Sequence, residues 1–326
     1  MNKFLYWLWY QDRYWHLLLW PLHIVSYVLI ELRILAYKVG VFKTNQVATK
    51  VIVIGNLTVG GTGKTPIVIE IARKLIDAGK KVGIVSRGYK GIRLTDPIIL
   101  DALIPVEESG DEPCMLREIL DIPIAVGRSR VDASNLLLER SDIDVILSDD
   151  GLQHHALNRD HEIVVSSTNL GATNKFLIPS GPYRSMPTNA HNKGGIQFQK
   201  GGKTKGNNIG FSLKLNNLLR LSDGDVVSFD ILRNGFHAVT AVGDPNSFYL
   251  SLNKFSEHFF RHTFDDHHYF TAQELTFNDD LPVVMTHKDA VKCHHFISLP
   301  IYYADVKVEY DGSGEEVLNQ YIDSIL

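Results

Sequence analysis

Between residues 55 and 65 the chain reads Gly55-Asn56-Leu57-Thr58-Val59-Gly60-Gly61-Thr62-Gly63-Lys64-Thr65, with a buried-strand pattern before it and a helical pattern after it. Glycines in such a turn let consecutive backbone N–H groups face a polyphosphate, and the helix that follows adds its positive end. Gly60, Gly61, Thr62, Gly63 and Pro66 are assigned to the cradle. Lys64 reaches the outer phosphates of ATP and Thr65 offers its hydroxyl to Mg²⁺. The strict phosphate-loop pattern has glycine where Thr58 stands, so the match rests on strand, Gly-Lys-Thr and helix in succession.

Other chemistry-bearing residues follow strands in the same way. The run Val145 to Ser148 ends in Asp149-Asp150, where a P-loop protein places the carboxylate that holds Mg²⁺, and Asp149 is the candidate. Two acids after a buried strand also make a simple solvated turn, but the cradle upstream favours the metal. Gly151-Leu152-Gln153-His154 sets an amide and an imidazole beside the phosphates, although alone these are ordinary loop residues. In Gly110-Asp111-Glu112-Pro113, Asp111 either caps a helix or faces the ligand crevice and accepts a hydroxyl proton. Arg87, in Ser86-Arg87-Gly88-Tyr89, suits an anionic substrate, and surface solvation accounts for it almost as well.

These residues need strands to carry them. Val51 to Ile54, Lys81 to Ser86, Ile124 to Val126, Val145 to Ser148 and Glu162 to Ser166 read as strands. Helical patterns cover Lys64 to Ala78, Glu112 to Leu120 and Arg130 to Leu138. This alternation predicts an α/β fold with a P-loop NTPase-like parallel sheet and helices on both faces. After Asn208 it resumes, with strands at Ala238 to Val242, Pro282 to Thr286 and Ile301 to Val308 and helices at Asn246 to Lys254 and Glu315 to Ile325, a second, smaller α/β lobe. The expected division is 1–48, 49–225 and 226–326. Between Asn189 and Asn208, Lys193, Lys200, Lys203 and Lys205 with glycine and asparagine read as a mobile basic loop, more a solvated connector than a phosphate contact.

Composition excludes several classes. With 44% hydrophobic and 21% charged residues the chain is neither disordered nor collagen-like, and Cys114 and Cys293 read as free thiols. A net charge of −4 gives no basic footprint for nucleic acid. The first fifty residues nevertheless hold six Lys/Arg against two Asp/Glu, and all four tryptophans, Trp7, Trp9, Trp15 and Trp20, fall within the first twenty. No formal charge occurs from Trp15 to Ile30, a run that is short for a span, broken by Pro21 and dotted with His16, His23 and Ser26. Leu22, Val25, Leu29, Leu32 and Leu35 mark one apolar helical face, and Arg33 and Lys38 suit anionic head groups. The expectation is an amphipathic, interfacial helix. An ordinary core helix pair and a single span are the alternatives, and a cleaved signal peptide is excluded by the bulky start.

Taken in order, the cradle through Pro66, Ser86-Arg87-Gly88-Tyr89, Gly110-Asp111-Glu112-Pro113 and Asp149 to His154 resemble the tetraacyldisaccharide 4′-kinase family of lipid A biosynthesis. Gly181-Pro182-Tyr183-Arg184, Phe264-Asp265-Asp266-His267-His268 and Met285-Thr286-His287-Lys288-Asp289-Ala290-Val291 are similar to its remaining blocks. The resemblance implies transfer of the ATP γ-phosphoryl group to the 4′-hydroxyl of an acylated glucosamine disaccharide 1-phosphate at the cytoplasmic face of the bacterial inner membrane. It also implies Asp111 as base supported by His267, Lys64 and Thr65 in the cradle, and Asp149 and Asp150 as its acids, Asp150 with a catalytic part; Arg87, Gln153, His154 and Arg184 are the candidates for substrate, and no protein partner is indicated. His267 reaches the nucleotide side, on this expectation, only if the lobes close.

Two positions depart from the family pattern. Ser185 follows Arg184 where the family often has Glu, and His287 stands where it commonly has Glu before Lys-Asp. The paired histidines 154–155, 267–268 and 294–295 lack zinc-ligand spacing. A membrane-surface ATP-driven switch of the partitioning type is the rival reading, and Val59 in place of that class's first cradle lysine disfavours it, as the tryptophan-rich start disfavours a kinase for a soluble metabolite.

Overall fold

A computed structural model describes residues 7–11, 18–89, 91–92, 96–101, 104–168, 175–187 and 195–326. Trp15, His16, Asn189 and Lys193 lie outside them. Five parallel strands carry the first half: β1 (Lys50–Gly55), β2 (Val82–Ser86), β4 (Ile124–Val126), β5 (Val145–Asp149) and β6 (His161–Ser167), with the two-residue β3 (Ile98–Ile99) antiparallel at the edge. The core strands read as unbroken apolar runs because helices cover the sheet. One cover is the helix Lys64–Asp77, which buries Ile67, Val68, Ile71, Ala72 and Leu75 along one stripe. Each of the four branched side chains among them contributes about 1.5–3 kcal/mol by leaving water. The helices Asp111–Leu120 and Arg130–Arg140 match the expected spans closely.

The sheet does not stop at the first half. Strand β7 (Gln197–Lys200) pairs parallel to β6, and β8 (Asn208–Arg220) pairs parallel to β7 at its start and antiparallel to β13 (Ile301–Tyr310) along the rest. Beyond β13 lie β12 (Val283–Thr286), β10 (His237–Thr240) and β11 (Phe260–Thr263), all parallel to one another, while β9 (Val226–Val227) flanks β8. Among the described residues one thirteen-stranded sheet therefore runs through both halves, joined by the long β8. The closing helix Gly314–Ile325, read in sequence with the smaller lobe, buries Leu318, Tyr321, Ile322 and Ile325 in the core of the first half.

The basic stretch expected as a loop is corrected in part. Gln197–Lys200 is a strand whose Phe198 is fully buried against Phe211, and this outweighs the glycine- and lysine-rich neighbourhood that hid it. Thr204 is also anchored, its backbone N–H donating to Asp311.

Near the N-terminus, Trp20–Lys38 forms a helix, and none of its residues is buried. The core-helix alternative fails on that observation. The stripe Leu22, Val25, Leu29, Leu32 and Leu35 is 45–62% exposed. A second stripe, His23, Ser26, Ile30, Ile34 and Tyr37, is half-buried and docks the helix. Ser26 donates to Ile178 O, His23 Nδ1 accepts from Leu177 N, and the His23 ring stacks on Phe176. The short π-helical segment Trp7–Gln11 joins the same anchor through Trp9, whose indole donates to Pro179 O.

The helix Asp111–Leu120 is tied to the second half by Glu118, whose carboxylate lies 2.8 Å from His294 Nε2 and 3.3 Å from His287 Nε2. Burial opposes ionisation of Glu118, but hydrogen bonds from His287 and His294 hold it down to about 2, while the Glu118 bond raises His294 above its ordinary value. The carboxylate's contribution is present above the ordinary glutamate pKa of 4.5 and is lost as pH falls toward 2. The imidazolium's contribution is full below 6.5 and is lost as pH rises through the raised value. Thermal unfolding of wild type and Glu118→Gln should therefore differ most near pH 5–6, by a few degrees or less because the pair is partly solvated, on the order of 1 kcal/mol at most. A gap that stays constant to pH 9 overturns the assignment.

Candidate active site

The cradle leaves β1 at Gly55, where an added Cβ would meet Leu152 at 2.8 Å, so chain and loop are pressed together. Thr58, which departs from the strict pattern, forms an extended bridge to Tyr183, with Val59 N donating to Pro182 O and Arg184 N to Leu57 O. No left-handed residue is needed there. The positive φ angles fall on Gly60, at 121°, and on Gly63, at 82°, which a side chain resists. Gly63 precedes the helix that starts at Lys64, so the first helical N–H groups and the cradle open on the same side. Thr62 is buried and its hydroxyl accepts from the Asn56 amide at 3.4 Å.

Strand β5 lies beside β1 and delivers Asp149 and Asp150 to this end of the sheet. Lys64 Nζ is 3.6 Å from Asp149 Oδ1 and 3.0 Å from Asp150 Oδ1. Arg184 donates to both Asp150 oxygens, at 3.1 and 2.9 Å. Burial opposes the charge on Asp150, but Lys64 and then Arg184 hold its carboxyl down to about 2. Asp149 differs. Burial pushes its carboxyl above the ordinary range, against the pull of Lys64, and its buried Oδ1 has no hydrogen-bond partner. A carboxylate in that state gains from an added cation, and Thr65 supplies a hydroxyl one residue beyond Lys64. Among the described residues no cluster of three or more His, Cys, Asp or Glu is able to hold a metal unaided. Mg²⁺ commonly takes one or two carboxylates and completes its shell with phosphates and water, so this sparse donor set fits it.

From the second half, the turn after β11 brings His267 Nδ1 to 2.7 Å from Asp111 Oδ2. That contact is already made, which corrects the expectation that the lobes must first close. His267 sits at φ 67° and is pinned by its N–H to Ala241 O. A non-glycine residue in this region is held by its surroundings at a cost, which favours a demanding role. Asp111 is the first residue of its helix rather than the cap, since Gly110 occupies that position, at φ 90° with its would-be Cβ 3.0 Å from Tyr89 O. The carboxylate accepts from its neighbour Glu112 N through Oδ1. Burial opposes ionisation of Asp111, but the His267 hydrogen bond and then Lys288 keep the carboxyl below its usual range. An ionised carboxylate accepts only, so His267 Nδ1 carries the proton between them.

The remaining sequence candidates are spread around this centre. Gln153 donates to Asn56 O and to Ser185 Oγ, at 3.2 and 3.1 Å, so the serine that replaces the family's glutamate braces the amide behind the cradle. His154 is lowered to about 4 by burial and by Arg130, and therefore stays neutral at physiological pH. Arg87 is exposed, within electrostatic reach of His154 and Arg130. The unassigned Arg130 is buried and donates to the carbonyls of Asp149 and Asp150, fixing the turn in which Asp150 takes φ 51°. Its only sequence signal is an arginine in a first helical turn. Sequence reasoning assigns no role to Glu112 or Lys288 either, although their charges meet at 3.0 Å.

A lysine-bearing cradle with acids on the neighbouring strand defines a P-loop nucleotide-dependent enzyme, and the histidine-braced Asp111 is held in the same region by its neighbour Glu112, which lies within electrostatic reach of Lys64. Residues 15–326 match the family described as Tetraacyldisaccharide-1-P 4'-kinase, and the chain belongs to it. Tetraacyldisaccharide 4'-kinase of Legionella pneumophila (strain Corby) is 37% identical over 317 residues, which are 96% of this chain and 95% of the relative. That of Methylobacillus flagellatus is 36% identical over 317 residues, covering 95% and 93%. Among solved structures, the "apo" form of LpxK from Aquifex aeolicus in complex with ATP superposes with a TM-score of 0.79 at 27% identity, covering 95% of this chain and 99% of that one. The resemblance drawn from the sequence blocks and the α/β fold class are both borne out.

Gly63→Ala tests the cradle geometry, because the new Cβ would lie 3.3 Å from the Phe211 ring at a φ of 82°. Left-handed strain of roughly 1–2 kcal/mol should relax the loop and weaken ATP binding by about tenfold or more in calorimetry. Unchanged affinity would show that the cradle does not depend on this conformation.

Proposed function

We propose that the chain transfers the γ-phosphoryl group of ATP to the 4′-hydroxyl of an acylated glucosamine disaccharide 1-phosphate, forming lipid IVA. The observation that carries this reading is the histidine-braced, ionised Asp111 held beside a phosphate cradle whose lysine sits between two acids. Asp111 aligns the sugar hydroxyl and takes its proton, while His267 fixes the carboxylate and balances its charge. The sugar oxygen forms its bond to the γ-phosphorus as the bond to the β-bridging oxygen breaks, leaving ADP. Such a transfer gains chiefly from positioning and charge neutralisation. Lys64 turns its ammonium to the outer phosphates when they arrive, and Arg184 and Asp150 keep the loop edge in place. Thr65 and Asp149 would hold Mg²⁺, which neutralises phosphate charge when bound. Arg87, Gln153, His154 and Arg184 are assigned to the acceptor's anionic and polar groups. The two halves, divided near residues 225–226, act as nucleotide and bracing parts of one site.

A lipid acceptor needs a membrane contact, and the helix Trp20–Lys38 supplies its chemistry. Its length of about 28 Å and mean hydropathy of 1.2 meet the requirement for a span. One face, however, is docked on residues 176–180 through His23 and Ser26, which favours a helix lying in the interface with the leucine stripe in lipid. We place this face on the anionic cytoplasmic surface of the bacterial inner membrane. The ring of Tyr37, near the helix end, lies 5.7 Å from that of His155 just past the paired acids, so the membrane helix and the site are physically coupled.

With labelled ATP and the acylated disaccharide, Lys64→Ala and Asp111→Ala should each lose about 100-fold or more in turnover, Asp111→Ala with ATP binding retained. Near-normal lipid phosphorylation by both defeats the reading. ATP hydrolysis without transfer by the wild type would favour the partitioning-type switch instead. Leu29→Glu with Leu32→Glu should weaken partitioning into anionic vesicles about tenfold or more, and unchanged partitioning removes the interfacial assignment.

A further inference from the structure

Lys288 stands in the first turn of the helix His287–Ala290, directly after β12 in the second half of the chain. Its ammonium is 3.0 Å from Glu112 Oε1 and 3.9 Å from Asp111 Oδ2, and only 18% of the side chain is exposed. Asp111 and Glu112 are consecutive residues at a helix N-terminus, and two adjacent carboxylates near a phosphate site repel each other and the substrate. Glu112 has a second cation within electrostatic reach, Lys64 of the cradle. Without Lys288, Glu112 would draw on the ammonium that the phosphates require.

We propose, on the kinase reading above, that Lys288 is a positioning residue for phosphoryl transfer. It engages Glu112, leaves Lys64 to the nucleotide, and holds Asp111 Oδ2 between itself and His267 so that the carboxylate stays aimed at the acceptor. The groups around it bear this out. Asp111, Glu112 and Asp266 face the ammonium; His267 and Lys292 also act on Asp111; Asp149 acts on Lys64 from β5. Burial opposes the charge on Glu112, yet Lys288 first and Lys64 second keep its carboxyl below the ordinary range. Lys288 is itself held protonated by Glu112 and Asp111 against its burial. The neighbouring Asp289, itself fully buried, has a different, structural task, accepting from Thr240 Oγ1, Ala241 N and Thr286 Oγ1.

The test uses full-length wild type, Lys288→Met and Lys288→Arg, assayed with ATP and the acylated disaccharide 1-phosphate in vesicles. Lys288→Met should lower kcat by about 10- to 100-fold, a fraction of what a positioned base contributes, with KM for ATP changed far less. The acidic limb of its kcat–pH profile should move to higher pH, because Asp111 loses a cation. Lys288→Arg should recover most of kcat, since it restores the charge. Unchanged kcat in Lys288→Met overturns the proposal. So does a loss that tracks a fall in thermal stability, leaves the pH limb in place and is not recovered by arginine, the pattern of a mere strut. If the wild type transfers no phosphate to this acceptor, the kinase reading fails first and this inference falls with it.

Discussion

Four carboxylates, those of Asp111, Glu112, Asp149 and Asp150, are gathered where the strands of two half-sheets end, and the site exists only because cations are gathered with them. Lys64 faces Asp149 and Asp150, Arg184 grips Asp150, and Lys288 takes Glu112 and borders Asp111. Burial raises the cost of every unpaired charge in such a place, so each acid faces a cation. Asp149 has Lys64 3.6 Å away and a buried Oδ1 lacking a hydrogen-bond partner. A triphosphate entering the cradle adds more negative charge, and the arrangement of Lys64 between acids makes that ammonium available for exchange.

The architecture follows from that need for convergence. Strands β1 and β5 bring the cradle and the paired acids from one half, while the turns after β11 and β12 bring His267 and Lys288 from the other. Strand β8 makes this possible by pairing parallel to β7 and antiparallel to β13, which reverses the direction of the second half within one continuous sheet. The Gly181-Pro182-Tyr183-Arg184 segment links the parts again, since its backbone pins Leu57 and Val59 of the cradle while Arg184 reaches Asp150. That same neighbourhood, at residues 176–180, carries the exposed N-terminal helix. The exposed apolar helix, the cradle and Asp150 are therefore all held by the single segment 176–184.

Much of this was legible from local pattern. Apolar runs of three or four residues, such as Val51 to Ile54 and Val145 to Leu147, marked the strands, because a strand covered on both faces carries few polar residues. Gly-Lys-Thr after such a strand identified the cradle, since few other tasks need a flexible turn, an ammonium and a hydroxyl in succession. The leucine stripe from Leu22 to Leu35 was also readable, being a periodic face. What escaped was pairwise charge. Nothing in the neighbourhood of Glu112 says that Lys288, 176 residues away, will sit 3.0 Å from it, nor does the Gln197–Lys200 stretch advertise a strand until Phe198 finds Phe211.

The division between the two levels is physical. Sequence alone determined the strands and helices of the nucleotide half up to Ser166, the phosphate cradle, the acids that follow β5 and the apolar stripe, because each depends on residues within one turn or one strand of each other. Only the tertiary structure decided that His267 is already on Asp111, that Lys288 shares the acids with Lys64, that Ser185 braces Gln153, and that the apolar stripe of the N-terminal helix is left bare. Those facts depend on distance between residues remote in the chain, and an ion pair or a docked face has no periodicity that a linear sequence records.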